Sequence, residues 1–125
     1  MDFRKFKTIG AGADREEACV KPFGGYDGNF VLMGHPAAIT VGDETGITMV
    51  TDTDRPCMQL YTANAMTDRI GKGGKGYGFR SAFCLETQHY PDGIHQSHWP
   101  SCILRAGERF HSVTSYTFSI KEGSA

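Results

Sequence analysis

No stretch of this 125-residue chain reaches the ~20 consecutive apolar residues that a membrane-spanning helix needs, and the opening Met1-Asp2-Phe3-Arg4-Lys5 lacks the apolar core of a signal peptide. A membrane partner is not expected, and the cytoplasm is the expected location. Charge of one sign is not in excess either. The 13 basic and 14 acidic residues leave a net charge of -1, gathered into no patch that suits nucleic acid or anionic lipid. The four cysteines, Cys19, Cys57, Cys84 and Cys102, contain no CxxC pair, so their spacing does not suggest zinc, and they read as packing thiols. His89, His95 and His98 lie closer together, but no acidic pair accompanies them beyond Asp92. Neither a metal nor a cofactor is expected. Helical periodicity is missing as well: no segment repeats apolar residues at i, i+3, i+4 and i+7 over three turns.

What is present is β patterning. Sixteen glycines and five prolines punctuate short alternating runs, which fits strands joined by tight turns in a single domain spanning residues 1–125. The expected strands are Asn29 to Met33, Ala38 to Gly42, Gly46 to Thr53, Cys57 to Thr62, Gly78 to Tyr90 and Ser112 to Ile120. Turn signals separate them at Gly34-His35-Pro36, Asp43-Glu44-Thr45-Gly46 and Asp54-Arg55-Pro56. Thr8 to Lys21 reads as an irregular loop, and the tail Lys121 to Ala125 as frayed. Gly71-Lys72-Gly73-Gly74-Lys75-Gly76 invites a phosphate-loop reading, but it lacks the GxxxxGK[ST] spacing and precedes a strand. A flexible connection is the better account.

One carboxylate stands in the middle of the longest expected strand. Alternation from Gly78 puts Phe79, Phe83 and Leu85 on one face, read as core, and Arg80, Ala82, Cys84 and Glu86 on the other. Small residues beside Glu86 leave room for a ligand. The competing reading is a salt bridge from Glu86 to Arg80 or Arg105.

Several separated words, in order along the chain, carry a family resemblance. They are Asp2-Phe3-Arg4-Lys5, Gly25-Tyr26-Asp27-Gly28-Asn29-Phe30-Val31-Leu32, Gln59-Leu60-Tyr61-Thr62-Ala63-Asn64, and the run Phe83 to Asp92 followed by Trp99-Pro100-Ser101 and Ile103 to Glu108. Together they resemble the carboxy-terminal portion of the aldose 1-epimerases, the galactose mutarotases. The resemblance implies an all-β fold, an antiparallel β-sandwich of galactose mutarotase type, represented by its carboxy-terminal part.

It also implies chemistry. Mutarotation interconverts the α and β hemiacetals of an aldose: a base takes the C1 hydroxyl proton while an acid protonates the ring oxygen. The ring opens to the aldehyde, the C1–C2 bond turns, and the ring recloses. By resemblance Glu86 is the base, a role that partial burial would favour by raising its pKa toward working pH. Asp27, Gln59 and Asn64 are the implied monosaccharide-binding residues, because carboxylates and amides match sugar hydroxyls. On local sequence each of the three also reads as a turn or cap residue. Trp99 and Tyr61 could stack on a sugar or pack in the core. The family's sugar-binding and acid histidines lie in the portion that this sequence does not resemble. That leaves three functional readings: an epimerase subunit completed by an amino-terminal chain, a noncatalytic carbohydrate-binding domain, and a self-associating remnant. A homodimer is the expected way to cover a bare sheet face. Three positions depart from the family pattern: Gly28 stands in place of His, Ala63 in place of Gly, and Ala65 in place of Phe.

Overall fold

The computed structural model describes residues 1–14, 16 and 20–120. Among them the regular structure is β-strand apart from single 3-10 turns at Gly10–Gly12, Lys21–Phe23, Lys72–Gly74 and Gly93–His95. Eight strands are formed: β1 (Asp27–Val31), β2 (Ala38–Val41), β3 (Ile47–Thr53), β4 (Cys57–Tyr61), β5 (Arg69–Ile70), β6 (Gly76–Tyr77), β7 (Cys84–Gln88) and β8 (Thr114–Ile120). They build sheets of order β1-β4-β7 and β2-β3-β8, with β5-β6 as a separate pair. The expected tail at Lys121 to Ala125 and the thiol of Cys19 lie outside the described residues.

The chain groups into two compact units, Met1–Phe30 with Gln59–Glu86 and Val31–Met58 with Thr87–Ala125. In the first, Val20, Tyr26, Leu60 and Ala13 are buried, with Phe3, Phe30 and Leu85 packed on them. Phe3 meets Tyr26 and Phe30 edge-on, with ring centroids 5.4 and 5.6 Å apart, the arrangement that aromatic quadrupoles favour. In the second unit β2, β3 and β8 pair antiparallel, in registers running from Ala38 opposite Thr51 and from Ile47 opposite Ile120. The β2–β3 turn closes through Gly42 N–H to Ile47 O and Gly46 N–H to Gly42 O, both 2.8 Å, with Gly46 at φ 66.

Two expectations are corrected. The run Gly78 to Tyr90 is not one strand, because pairing begins only at Cys84. Ahead of it Arg80 takes φ 56, and its backbone N–H binds Ala63 O at 3.2 Å. The Arg80 guanidinium donates to Gly24 O, Ala13 O and the Asp14 carboxylate. A residue in the left-handed region cannot continue a pleated ladder, so the alternation stops there. Phe79 and Phe83 are accordingly 59% and 40% exposed rather than core, while Leu85 does pack inward. The glycine-rich stretch Gly71 to Gly76 is not a connection leading into β7 either. It joins β5 to β6, which pair Arg69 with Tyr77 and Ile70 with Gly76. Gly71 N–H binds Lys75 O at 2.8 Å, and the left-handed φ of Gly73 and Gly74 lets the chain reverse.

Candidate functional site

Strand alternation fixes what each side of the β1-β4-β7 sheet carries. Phe30, Leu60 and Leu85 belong to the core of the first unit, so they mark its inner face. Their strand neighbours Asp27 and Asn29 on β1, Gln59 and Tyr61 on β4, and Cys84 and Glu86 on β7 share the opposite face. The strands run antiparallel where β1 meets β4, closed by Thr62 N–H to Tyr26 O at 3.1 Å and by Leu32 N–H to Pro56 O at 2.9 Å. The residues singled out as base and as two of the sugar ligands thus stand on three successive strands of one face.

Gln59 Nε2 donates to Asp27 Oδ1 at 2.8 Å, and both residues are half-buried. Glu86 is exposed, and it forms no side-chain hydrogen bond or ion pair with a described residue. The salt-bridge alternative fails on geometry: Arg80 is committed to Gly24, Ala13 and Asp14, and Arg105 meets Glu108 only through its backbone N–H, at 2.7 Å. The carboxylate of Asp14 is held below its usual range, chiefly by the hydrogen bond from Arg80. The burial expected around Glu86 is not present among the described residues.

Asn64 is engaged within the fold. Its Nδ2 donates to Tyr26 O at 2.8 Å and its Oδ1 accepts from Thr62 Oγ1 at 2.6 Å, while Tyr26 N–H donates to Thr62 Oγ1 at 2.9 Å. The amide therefore anchors the entry to β1, one residue ahead of Asp27. Tyr61 Oη accepts from Ala65 N–H at 3.0 Å and closes the turn that follows β4. Trp99 is stacked on Tyr90, with centroids 4.7 Å apart and planes at 23°, and His98 lies 5.2 Å from its ring.

The family departures sort by face. Gly28 shares the core side of β1 with Phe30 and is buried, so its missing side chain does not widen the polar face. Ala63 sits at φ 52, a left-handed conformation that costs an L-residue about 1 kcal/mol and that glycine adopts without penalty. Sequence reasoning did not single out Asn29, and it offered Arg80 only as an ion-pair partner of Glu86. Alternation from Asp27 carried a signal for Asn29, whereas nothing local marked Arg80 as an anchor. Among the described residues, no group of three or more His, Cys, Asp or Glu side chains is arranged to hold a metal ion.

Residues 1–117 match the family model described as aldose 1-epimerase. The chain is 37% identical over 101 residues to galactose mutarotase from Bos taurus, covering 77% of this chain and 30% of that protein. It is 31% identical over 128 residues to aldose 1-epimerase from Escherichia coli K12, covering 94% of this chain and 36% of that protein. The crystal structure of an aldose epimerase homologue from C. elegans superposes with a TM-score of 0.74 at 27% identity, over 95% of this chain and 36% of that one. The chain thus spans about a third of the length of these relatives, in the all-β fold of galactose mutarotase type. Family match, curated relatives and fold agree, and the chain belongs to the aldose 1-epimerase family.

Proposed function

We propose that this chain carries the base-bearing part of an aldose 1-epimerase site, with Glu86 as the group that takes the C1 hydroxyl proton of an aldose such as glucose or galactose. The observation that supports this most is the shared face of Asp27, Gln59 and Glu86 on neighbouring strands, which lie about 4.8 Å apart per step. That spacing suits a pyranose lying across the sheet. Asp27, steadied by Gln59, accepts hydrogen bonds from ring hydroxyls, and Glu86 addresses the anomeric centre. Asn64 contributes by holding the approach to β1. After the C1–C2 bond turns, the C5 hydroxyl oxygen attacks the other face of the aldehyde carbon and gives its proton back to the acid, while Glu86 returns its proton to the C1 oxygen, so both groups end the cycle unchanged.

The acid that protonates the ring oxygen comes, in this reading, from a complementary amino-terminal polypeptide, which also buries Glu86 and tunes it as a base. A second copy of the chain or that polypeptide covers the bare face of the β2-β3-β8 sheet. The reaction takes place on free monosaccharide in the cytoplasm. The exposure of Glu86 favours a second reading for the chain alone: sugar binding at Asp27 and Gln59 without rate enhancement.

Polarimetry of freshly dissolved α-D-glucose or α-D-galactose tests the proposal. The 125-residue chain alone is expected to leave the spontaneous rate unchanged, and addition of the amino-terminal portion of a relative to raise it. Glu86→Gln abolishes the gain while stability changes by less than about 0.5 kcal/mol, because the side chain is exposed. An equal rate in the Gln variant removes Glu86 from the mechanism. Sugar-induced shifts at Asp27 and Gln59 without any gain on mixing support the binding reading instead.

A further inference from the structure

Within the unit formed by Val31–Met58 and Thr87–Ala125, a cavity of about 330 Å³ is walled by Asp54, Arg55, His89, Arg109, Phe110 and His111. None of these residues takes part in the sugar-binding face. Its one carboxylate is already engaged: Asp54 accepts from Ser112 Oγ at 2.7 Å and from Val113 N–H at 3.1 Å. Its donors are not. The Arg55 side chain is only 11% exposed, held by Nε donating to Ser112 Oγ at 2.7 Å and by its guanidinium lying 4.5 Å from the Phe110 ring centroid. An arginine has five N–H donors, and the four on the Nη atoms of Arg55 are hydrogen-bonded to no described residue. Nδ1 of His89 is buried with no hydrogen-bond partner among the described residues.

We propose that this cavity is a binding site for a small oxyanion, a carboxylate or phosphate group, gripped by the free edge of the Arg55 fork and by Arg109. A guanidinium already immobilised by Phe110 and Ser112 loses little freedom on accepting a two-oxygen ligand, which favours the planar, bidentate recognition that arginine gives such groups. Arg55 and Arg109 carry two positive charges against the single, hydrogen-bonded carboxylate of Asp54, so an anion balances the cavity. His89, in its Nδ1–H tautomer or as imidazolium, adds a further donor that otherwise stays unmet.

The whole chain is titrated with inorganic phosphate, and separately with acetate, at ionic strength held constant with sodium chloride, while NMR follows the rings of His89 and His111 and the Nε–H of Arg55. Saturable shifts at these groups are expected. Saturation by phosphate alone identifies a phosphate site, by acetate alone a carboxylate site, and by both a general oxyanion site. Arg109→Gln, at an exposed position, weakens binding about tenfold, the loss of one charge-assisted hydrogen bond. Arg55→Lys keeps the charge, removes the fork and weakens it too. Shifts that never saturate, or that chloride reproduces, overturn the proposal, as does affinity unchanged in both variants.

Discussion

Gly25 lies where the chain enters β1, one position ahead of a buried tyrosine, and no side chain fits there. A Cβ at this position would lie 2.1 Å from Asn64 Oδ1 and 2.7 Å from Thr62 Oγ1, the two groups that hold the Tyr26 backbone. Gly25→Ala must therefore displace that hydrogen-bonded set or shift β1 itself. A loss of about 2–4 kcal/mol, in line with broken buried networks, is expected in denaturant unfolding. On the proposed role of Asp27 as a sugar ligand, the same variant is expected to weaken binding, since Asp27 follows Tyr26 in the chain. A change below about 0.5 kcal/mol would mean that Asn64 does not lock this entry.

The β3–β4 turn is tied to the start of β8 by Asp54, whose carboxylate meets Ser112 Oγ and Val113 N–H while Asp54 N–H donates to Val113 O at 3.2 Å. Hydrogen bonding from Ser112 is the main cause that holds the Asp54 carboxyl below its ordinary value of 3.8. His35 does the same for Asp52 on β3, and Arg80 for Asp14. Each folded value is depressed, so the stabilisation is complete above the unfolded carboxylate range near pH 4 and is lost as pH falls through the folded values below 3.8. Acid titration followed by circular dichroism should show unfolding that steepens below about pH 4. In Asp54→Asn the loss in that window should be smaller. An identical acid profile in the variant would remove this tie from the balance.

At the scale of the whole molecule, β8 carries a row of exposed apolar side chains among the described residues. The register places Ile47 opposite Ile120 and Met49 opposite Phe118, so these apolar side chains share a face with Tyr116, and Phe118 and Ile120 are 65% and 73% exposed. β8 is also an edge strand, in the order β2-β3-β8, and Thr114–Ile120 contains neither proline nor charge. Such an edge is a template for pairing with another chain. Light scattering across a concentration series should show mass rising above that of the 13.7 kDa monomer, with Phe118→Ser shifting the midpoint upward about tenfold, the loss of a mostly buried aromatic contact. A constant monomer mass would defeat self-association through this face.

Most strands were legible because their signals are local. The alternating runs at Ala38, Ile47 and Cys57 and the turn residues between them specify extended chain wherever they fall, and β2, β3 and β4 begin within one residue of expectation. The ordered family words likewise mark Asp27, Gln59 and Glu86 before any coordinates are known. Adjacency is a different matter. That β4 lies between β1 and β7, which brings those three residues to a common face, depends on packing between segments far apart in the chain. Arg80 makes the contrast plain: its residue type and neighbours continue the strand pattern, yet its guanidinium reaches Ala13 and Gly24, 67 and 56 positions away, and its backbone, at φ 56, leaves the ladder. Hydrophobic alternation is written into neighbouring residues, whereas the exposure of Glu86 and the anchoring of Asn64 follow from long-range contacts that form only when the chain is folded.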